Sequence, residues 1–176
     1  AVDDPDYKKE SNFIHSLMQK SDSGIKGLIL STRPENDSEF DKWLEESNSL
    51  GVVGYRRVLH TEPDELSQQS NFRENISKIG KTGKPFDLCF REDQLKIAIE
   101  LSKYCDEMDL VLNHCGVPAI ASGEMSQWKN DITALSKLKH VTCKLSGIMA
   151  YCAPGTSSYE TIKPYVEHVL ECFGPD

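Results

Sequence analysis

The sequence predicts an α/β fold built on a parallel sheet, and three observations carry that prediction. Five short apolar runs read as strands: IKGLIL (25–30), VVGYRRVLH (52–60), FDLCF (86–90), LVL leading into Asn113-His114, and VTCKLS (141–146). Stretches with apolar residues at helical spacing lie between them. Strand and helix alternate with a repeat of roughly thirty residues, the size of a βαβ unit. At 176 residues the chain can bury one core and does not demand two, so residues 1–176 read as one domain or part of one. A closed (β/α) barrel needs eight strands and typically ~250 residues. The arithmetic leaves a small doubly wound domain or an incomplete barrel.

The elements follow from local patterns. Phe13, Ile14, Leu17 and Met18 form the apolar stripe of a first helix between Asp6 and Lys20, which Ser21 to Gly24 ends. The run from Ile25 to Leu30 stops at the Arg33-Pro34 turn. Asp37 or Ser38 then caps a helix to Leu50 that turns Phe40, Trp43 and Leu44 inward, and Gly51 stops it. After the second strand, a loop with Pro63 leads to a helix over 70–81. Gly83 and Pro85 introduce the third strand. The clearest helix spans Glu92 to Met108, with Leu95, Ala98, Ser102 and Cys105 on one face. The run at 110–112 stops at Asn113-His114 and turns at Cys115-Gly116. A helix over 128–139, the fifth strand and a last helix over 161–173, with Pro164 harmless in its first turn, complete the order.

Composition narrows the partners. Lys and Arg total 20 against 28 for Asp and Glu, and the net charge of -8 speaks against nucleic acid and anionic membrane. A small-molecule substrate is the expected partner, and a homo-oligomer is compatible with the composition. No apolar run approaches the ~20 residues of a membrane span, and AVDDPDYKKE is unlike a signal peptide, so a soluble cytoplasmic protein is expected. The six cysteines show no CxxC spacing and read as free, buried thiols.

Parallel α/β folds place chemistry at the carboxyl ends of their strands. His60 and His114 fall there, His140 falls at the opposite rim, and His15 and His168 fall on helices. Alternation puts Gly54, Arg56, Val58 and His60 on one face, so Arg56 reaches the site while Arg57 points toward the helices as a structural charge. A planar guanidinium there suits a carboxylate or a polarised carbonyl oxygen, and an interior ion pair is the competing role. By the same parity Asp87 pairs with Cys89, Lys144 with Ser146, and Leu112 with His114. Asp87 and Lys144 are buried charges that need partners, either each other or substrate. A Ser146-His114-Asp87 triad has no Gly-x-Ser-x-Gly elbow behind it. His114 could serve as a metal ligand, a general acid or base, or a core histidine, and one histidine does not meet the three ligands a catalytic zinc usually takes.

Three stretches, GVVGYRRVLH (51–60), FDLCFREDQL (86–95), and LVLNHCGVP with VTCKLSG (141–147), stand in order ahead of the closing PYVEHVLECFGPD. Together they resemble the interior of a metal-dependent hydrolase of the amidohydrolase-2 family, whose members include L-fuconolactone and L-rhamnonolactone hydrolases. The resemblance covers nearly the whole chain. It implies a (β/α)8 TIM barrel of which this chain supplies strands three to seven and lacks the first two and the eighth. The family's His-x-His strand and its terminal aspartate have no counterpart here, and Asn113 stands where an aspartate is usual. The resemblance implies that His114 binds metal or polarises substrate, that Arg56 holds the substrate's oxygens, and that Lys144 faces the interior. His60, Asp87 and Ser146 join these as substrate-binding candidates. A divalent metal, zinc or manganese, accompanies some members and is absent from others. The implied reaction is attack of activated water on a lactone carbonyl in the complete protein. The alternatives are a decarboxylase or hydratase of a related branch, or a non-catalytic, incomplete scaffold in this chain alone.

Overall fold

The computed structural model describes residues 6–175. Five parallel strands form one sheet in chain order: β1 (Leu28–Ser31), β2 (Val52–Val58), β3 (Phe86–Cys89), β4 (Leu110–Leu112) and β5 (Val141–Cys143). Helices α1 (Tyr7–Met18), α2 (Asp37–Ser47), α3 (Ser70–Gly80), α4 (Leu95–Tyr104), α5 (Ser126–Ser136) and α6 (Tyr159–Phe173) precede, separate and follow the strands. Sequential order without reversal is the topology of a barrel wall, and the doubly wound alternative, which reverses at a switch point, is excluded.

Side-chain alternation divides the sheet into two layers. Leu30, Tyr55, Phe86, Leu88, Leu110 and Leu112 are buried under the helices. The Tyr55 hydroxyl meets Ser47 Oγ of α2 at 2.6 Å, which fixes that layer as the helix side. Aromatic anchors hold the helices: Trp43 donates its indole N–H to the Ser31 carbonyl, and Trp128 donates to the Cys115 carbonyl at 2.8 Å. On the other face the register sets Ser31, Arg56, Asp87, Val111 and Thr142 side by side across all five strands. This face is open, since Ile29 is 37% exposed and Thr142 is also exposed.

The strands are shorter than the apolar runs that announce them. β2 ends at Val58 rather than His60, and β5 ends at Cys143 rather than Ser146. The clearest helix divides into a 3-10 turn over Glu92–Gln94 and the α-helix from Leu95. All six cysteines are free thiols. Three of them, Cys143, Cys152 and Cys172, are only partly buried. No helix among the described residues is long and apolar enough to cross a membrane.

Candidate active site

The carboxyl ends of β2, β3 and β4 and the loops after β4 and β5 enclose a cavity of about 230 Å³. Its polar wall is Arg56, His60, Cys89, Asn113, His114 and Tyr151, and its apolar wall is Val58 and Val117. A shallower cleft of about 170 Å³, beside Gly80 and Met108, sits at the amino-terminal rim and contains no histidine. In a parallel sheet the carboxyl rim is the place for chemistry, so the first cavity is the candidate site.

His114 reaches the cavity by a route that alternation does not describe. β4 stops at Leu112, which is fully buried on the helix side, and strict parity would send His114 the same way. Instead His114 and Cys115 adopt φ of 53° and 56°, and Gly116 and Val117 follow at 68° and 48°. Consecutive left-handed residues turn the backbone over and carry the imidazole to the rim. This corrects the expected pairing of Leu112 with His114 on one face. L-residues, and β-branched Val117 above all, are strained in this region, and such strain gathers at functional sites. The turn is held from β5, because Cys115 N–H donates to the Lys144 carbonyl at 3.2 Å.

His114 Nδ1 lies 2.9 Å from Ser146 Oγ. Partial burial, and then the Lys144 ammonium, lower its pKa below the ordinary histidine value, so the neutral imidazole dominates near pH 7. Gly147 makes the close approach possible, because a Cβ there would stand 3.0 Å from His114 Nδ1.

Arg56 donates Nε–H to Ser31 Oγ at 3.2 Å, and among the described residues it makes no ion pair. Its neighbour in register, Asp87, accepts from Lys144 Nζ at 2.5 Å. Asp87 and Lys144 therefore satisfy each other below the cavity and do not line it. Because Asp87 is committed to Lys144, the Ser146-His114 contact has no carboxylate behind it, and the geometry does not make a triad. Arg57 is buried toward the helices between Glu35, at 2.8 Å, and Glu62, at 3.4 Å. His60 also lines the cavity, and its carbonyl accepts from the Arg91 guanidinium. The remaining histidines bond backbone carbonyls: His15 to Leu50, His140 to Ser102 and His168 to Lys129.

Cys89, Asn113 and Tyr151 line the cavity but are not among the site residues expected from the sequence. Cys89 reads as core because it is a small hydrophobe in an apolar run. Asn113 was legible through its place at a strand end, but Tyr151 lies in a loop whose fold no local pattern announces.

A catalytic zinc asks for three protein ligands. No group of three or more His, Cys, Asp or Glu side chains suited to a metal occurs among the described residues. The residues here do not by themselves fit a catalytic metal, and no chemical step is assigned to one.

Relatives agree with this architecture. An uncharacterised protein of Sinorhizobium fredii is 26% identical over 161 residues, covering 87% of this chain and 53% of its own. An L-fucono-1,5-lactonase of Burkholderia multivorans is 26% identical over 136 residues, covering 69% of this chain and 45% of its own. The chain thus spans about half the length of these curated relatives. A crystal structure of an amidohydrolase from Burkholderia multivorans with bound zinc superposes with a TM-score of 0.87 at 23% identity, over 96% of this chain and 61% of that one. A crystal structure described as that of a putative 2-pyrone-4,6-dicarboxylic acid hydrolase from Pseudomonas putida superposes with a TM-score of 0.72 at 21% identity, over 94% of this chain and 59% of that one. These likenesses show the fold: part of a (β/α)8 barrel, five of its parallel strands. Residues 11–176 match the model of the Amidohydro_2 family, described as amidohydrolase, and the chain belongs to that family.

Proposed function

We propose that the whole protein is a hydrolase that opens a sugar-type lactone by attack of water on the ring carbonyl, with this segment supplying the groups that hold the carbonyl oxygen. The observation that carries the reading is the Arg56 guanidinium, which has no carboxylate partner among the described residues and shares a cavity with His60 and His114. A guanidinium aimed at a site where negative charge develops stabilises an oxyanion far more than it would in water. His114 assists as the neutral imidazole. In the tautomer that carries its proton on Nε2, Nδ1 accepts from Ser146 Oγ–H and the Nε2–H is available to the same oxygen. Attack on the carbonyl, collapse of the tetrahedral intermediate and departure of the ring oxygen yield a hydroxy acid. The family resemblance assigns the base that activates water to an aspartate with no counterpart among these residues. The relatives named L-fucono-1,5-lactonase support the substrate class.

The test is a panel of aldonolactones offered to the full-length protein, with and without added zinc or manganese. Stoichiometric acid release from at least one lactone is expected. No turnover of any lactone under either condition would overturn the substrate class.

A further inference from the structure

A second cleft, of about 380 Å³, opens beside the candidate cavity and shares Val117 and Tyr151 with it. Both residues are half-buried, so each keeps surface that a ligand can touch. The Tyr151 hydroxyl lies on the His114 side, since a Cβ built on Gly147 would stand 3.5 Å from it and 3.0 Å from His114 Nδ1. The other walls of the cleft are Pro118 and Ala119, from the loop after β4, and Arg91, Glu92 and Asp93, which follow β3. These charges are already engaged. Arg91 donates to both Asp93 carboxylate oxygens, at 3.0 and 3.3 Å, and to the His60 carbonyl, while Glu92 accepts the Ala119 N–H. What the cleft offers a ligand is therefore apolar surface.

The candidate cavity alone, at about 230 Å³, is smaller than the ~300–1,000 Å³ of most ligand sites, and the two spaces together fall inside that range. Charge divides them. Arg56 in the inner cavity has no carboxylate partner among the described residues, whereas the outer cleft's arginine is paired with Asp93. A ligand that fills both is polar where it meets Arg56 and His114, and apolar where it passes Val117 and Tyr151. We infer that the outer cleft is a substrate subsite, which takes an alkyl or aryl substituent of the lactone ring whose carbonyl end lies at Arg56. The inference rests on the lactone reading above and narrows it to lactones that carry an apolar side group of several carbons. The small, half-buried Ala119 sets the room left for that group, which makes it a specificity-determining residue.

The test is calorimetric binding, to the full-length protein, of the hydroxy acids obtained by opening δ-valerolactone, δ-nonalactone and δ-phenyl-δ-valerolactone. These carry no substituent, a butyl group and a phenyl group. A fully buried methylene is worth about fourfold in affinity, so a partly covered butyl or phenyl group should tighten binding to wild type by about tenfold. Ala119→Phe, which fills the outer cleft, should bring the ratio of substituted to unsubstituted affinity close to one. Should that variant fail to fold, Ala119→Leu should lower the same ratio severalfold. Equal binding of the three acids, no binding of any, or a ratio that survives the substitution would overturn the inference and leave the lactone reading standing. The expected order of binding beside no turnover of any lactone would uphold the subsite and overturn the lactone reading.

Discussion

Replacing Lys144 by methionine should destabilise the full-length protein far more than replacing Asp87 by asparagine, although both changes break the same ion pair. The Asp87 side chain is 5% exposed and the Lys144 side chain 42%. Lys144→Met leaves a carboxylate in a nearly dry place without its counter-ion, a change that costs about 3–5 kcal/mol. Asp87→Asn leaves an ammonium that turns into solvent and a neutral amide that keeps an acceptor oxygen, so the screened loss is about 1 kcal/mol. The double variant strands no charge and should lie close to Asp87→Asn. Urea denaturation measures the difference, and with m of about 1–3 kcal/mol/M the two midpoints should separate by about 1 M or more. Equal midpoints would show that Arg56, in register beside Asp87, takes over the carboxylate, and would refute Lys144 as its working partner. A double variant as unstable as Lys144→Met would refute the charge argument itself.

Three further outcomes follow from the site. Arg56→Met should lower kcat/KM by about 10²–10³ and Arg56→Lys should recover only part of it, because an ammonium lacks the planar fork; steady-state kinetics on the preferred lactone decides. Gly147→Ala, at φ 69° and with its Cβ 3.0 Å from His114 Nδ1, should cost about 1–2 kcal/mol in thermal denaturation and lower turnover by displacing the imidazole. Burial, and then the Asp87 charge, hold the Cys89 thiol at about 11, so its reactive thiolate is scarce at neutral pH. Its alkylation by iodoacetamide, read by mass spectrometry, should rise about tenfold per pH unit up to that value, and fast labelling at pH 7 would contradict the buried environment.

The sheet was legible because its signals are local and redundant. Apolar runs bounded by Gly24, Gly51, Gly83 and Pro85 place β1 to β3 within a few residues, and the stripe Leu95, Ala98, Ser102 places α4. Arg56 and Arg57 were separated correctly into cavity and helix sides, because β2 is a regular strand and period two holds along it. Parity failed at His114, two residues past Leu112, because four successive positive-φ residues replace the strand there, and only Gly116 among them advertises such a backbone. The mutual satisfaction of Asp87 and Lys144, 57 residues apart, depends on register between strands that are not neighbours, which no local pattern contains. Tyr151 escaped notice for the same reason, since this part of the cavity wall comes from a loop whose path tertiary packing decides.

The most direct test of water attack at a carbonyl held by Arg56 is isotope tracing. The full-length protein turns over its preferred lactone in ¹⁸O-water, and the hydroxy acid is fragmented in a mass spectrometer. One ¹⁸O in the carboxylate, none at the ring-opened hydroxyl, and no carbon dioxide are predicted. Label at the hydroxyl carbon, or carbon dioxide as product, would contradict acyl attack.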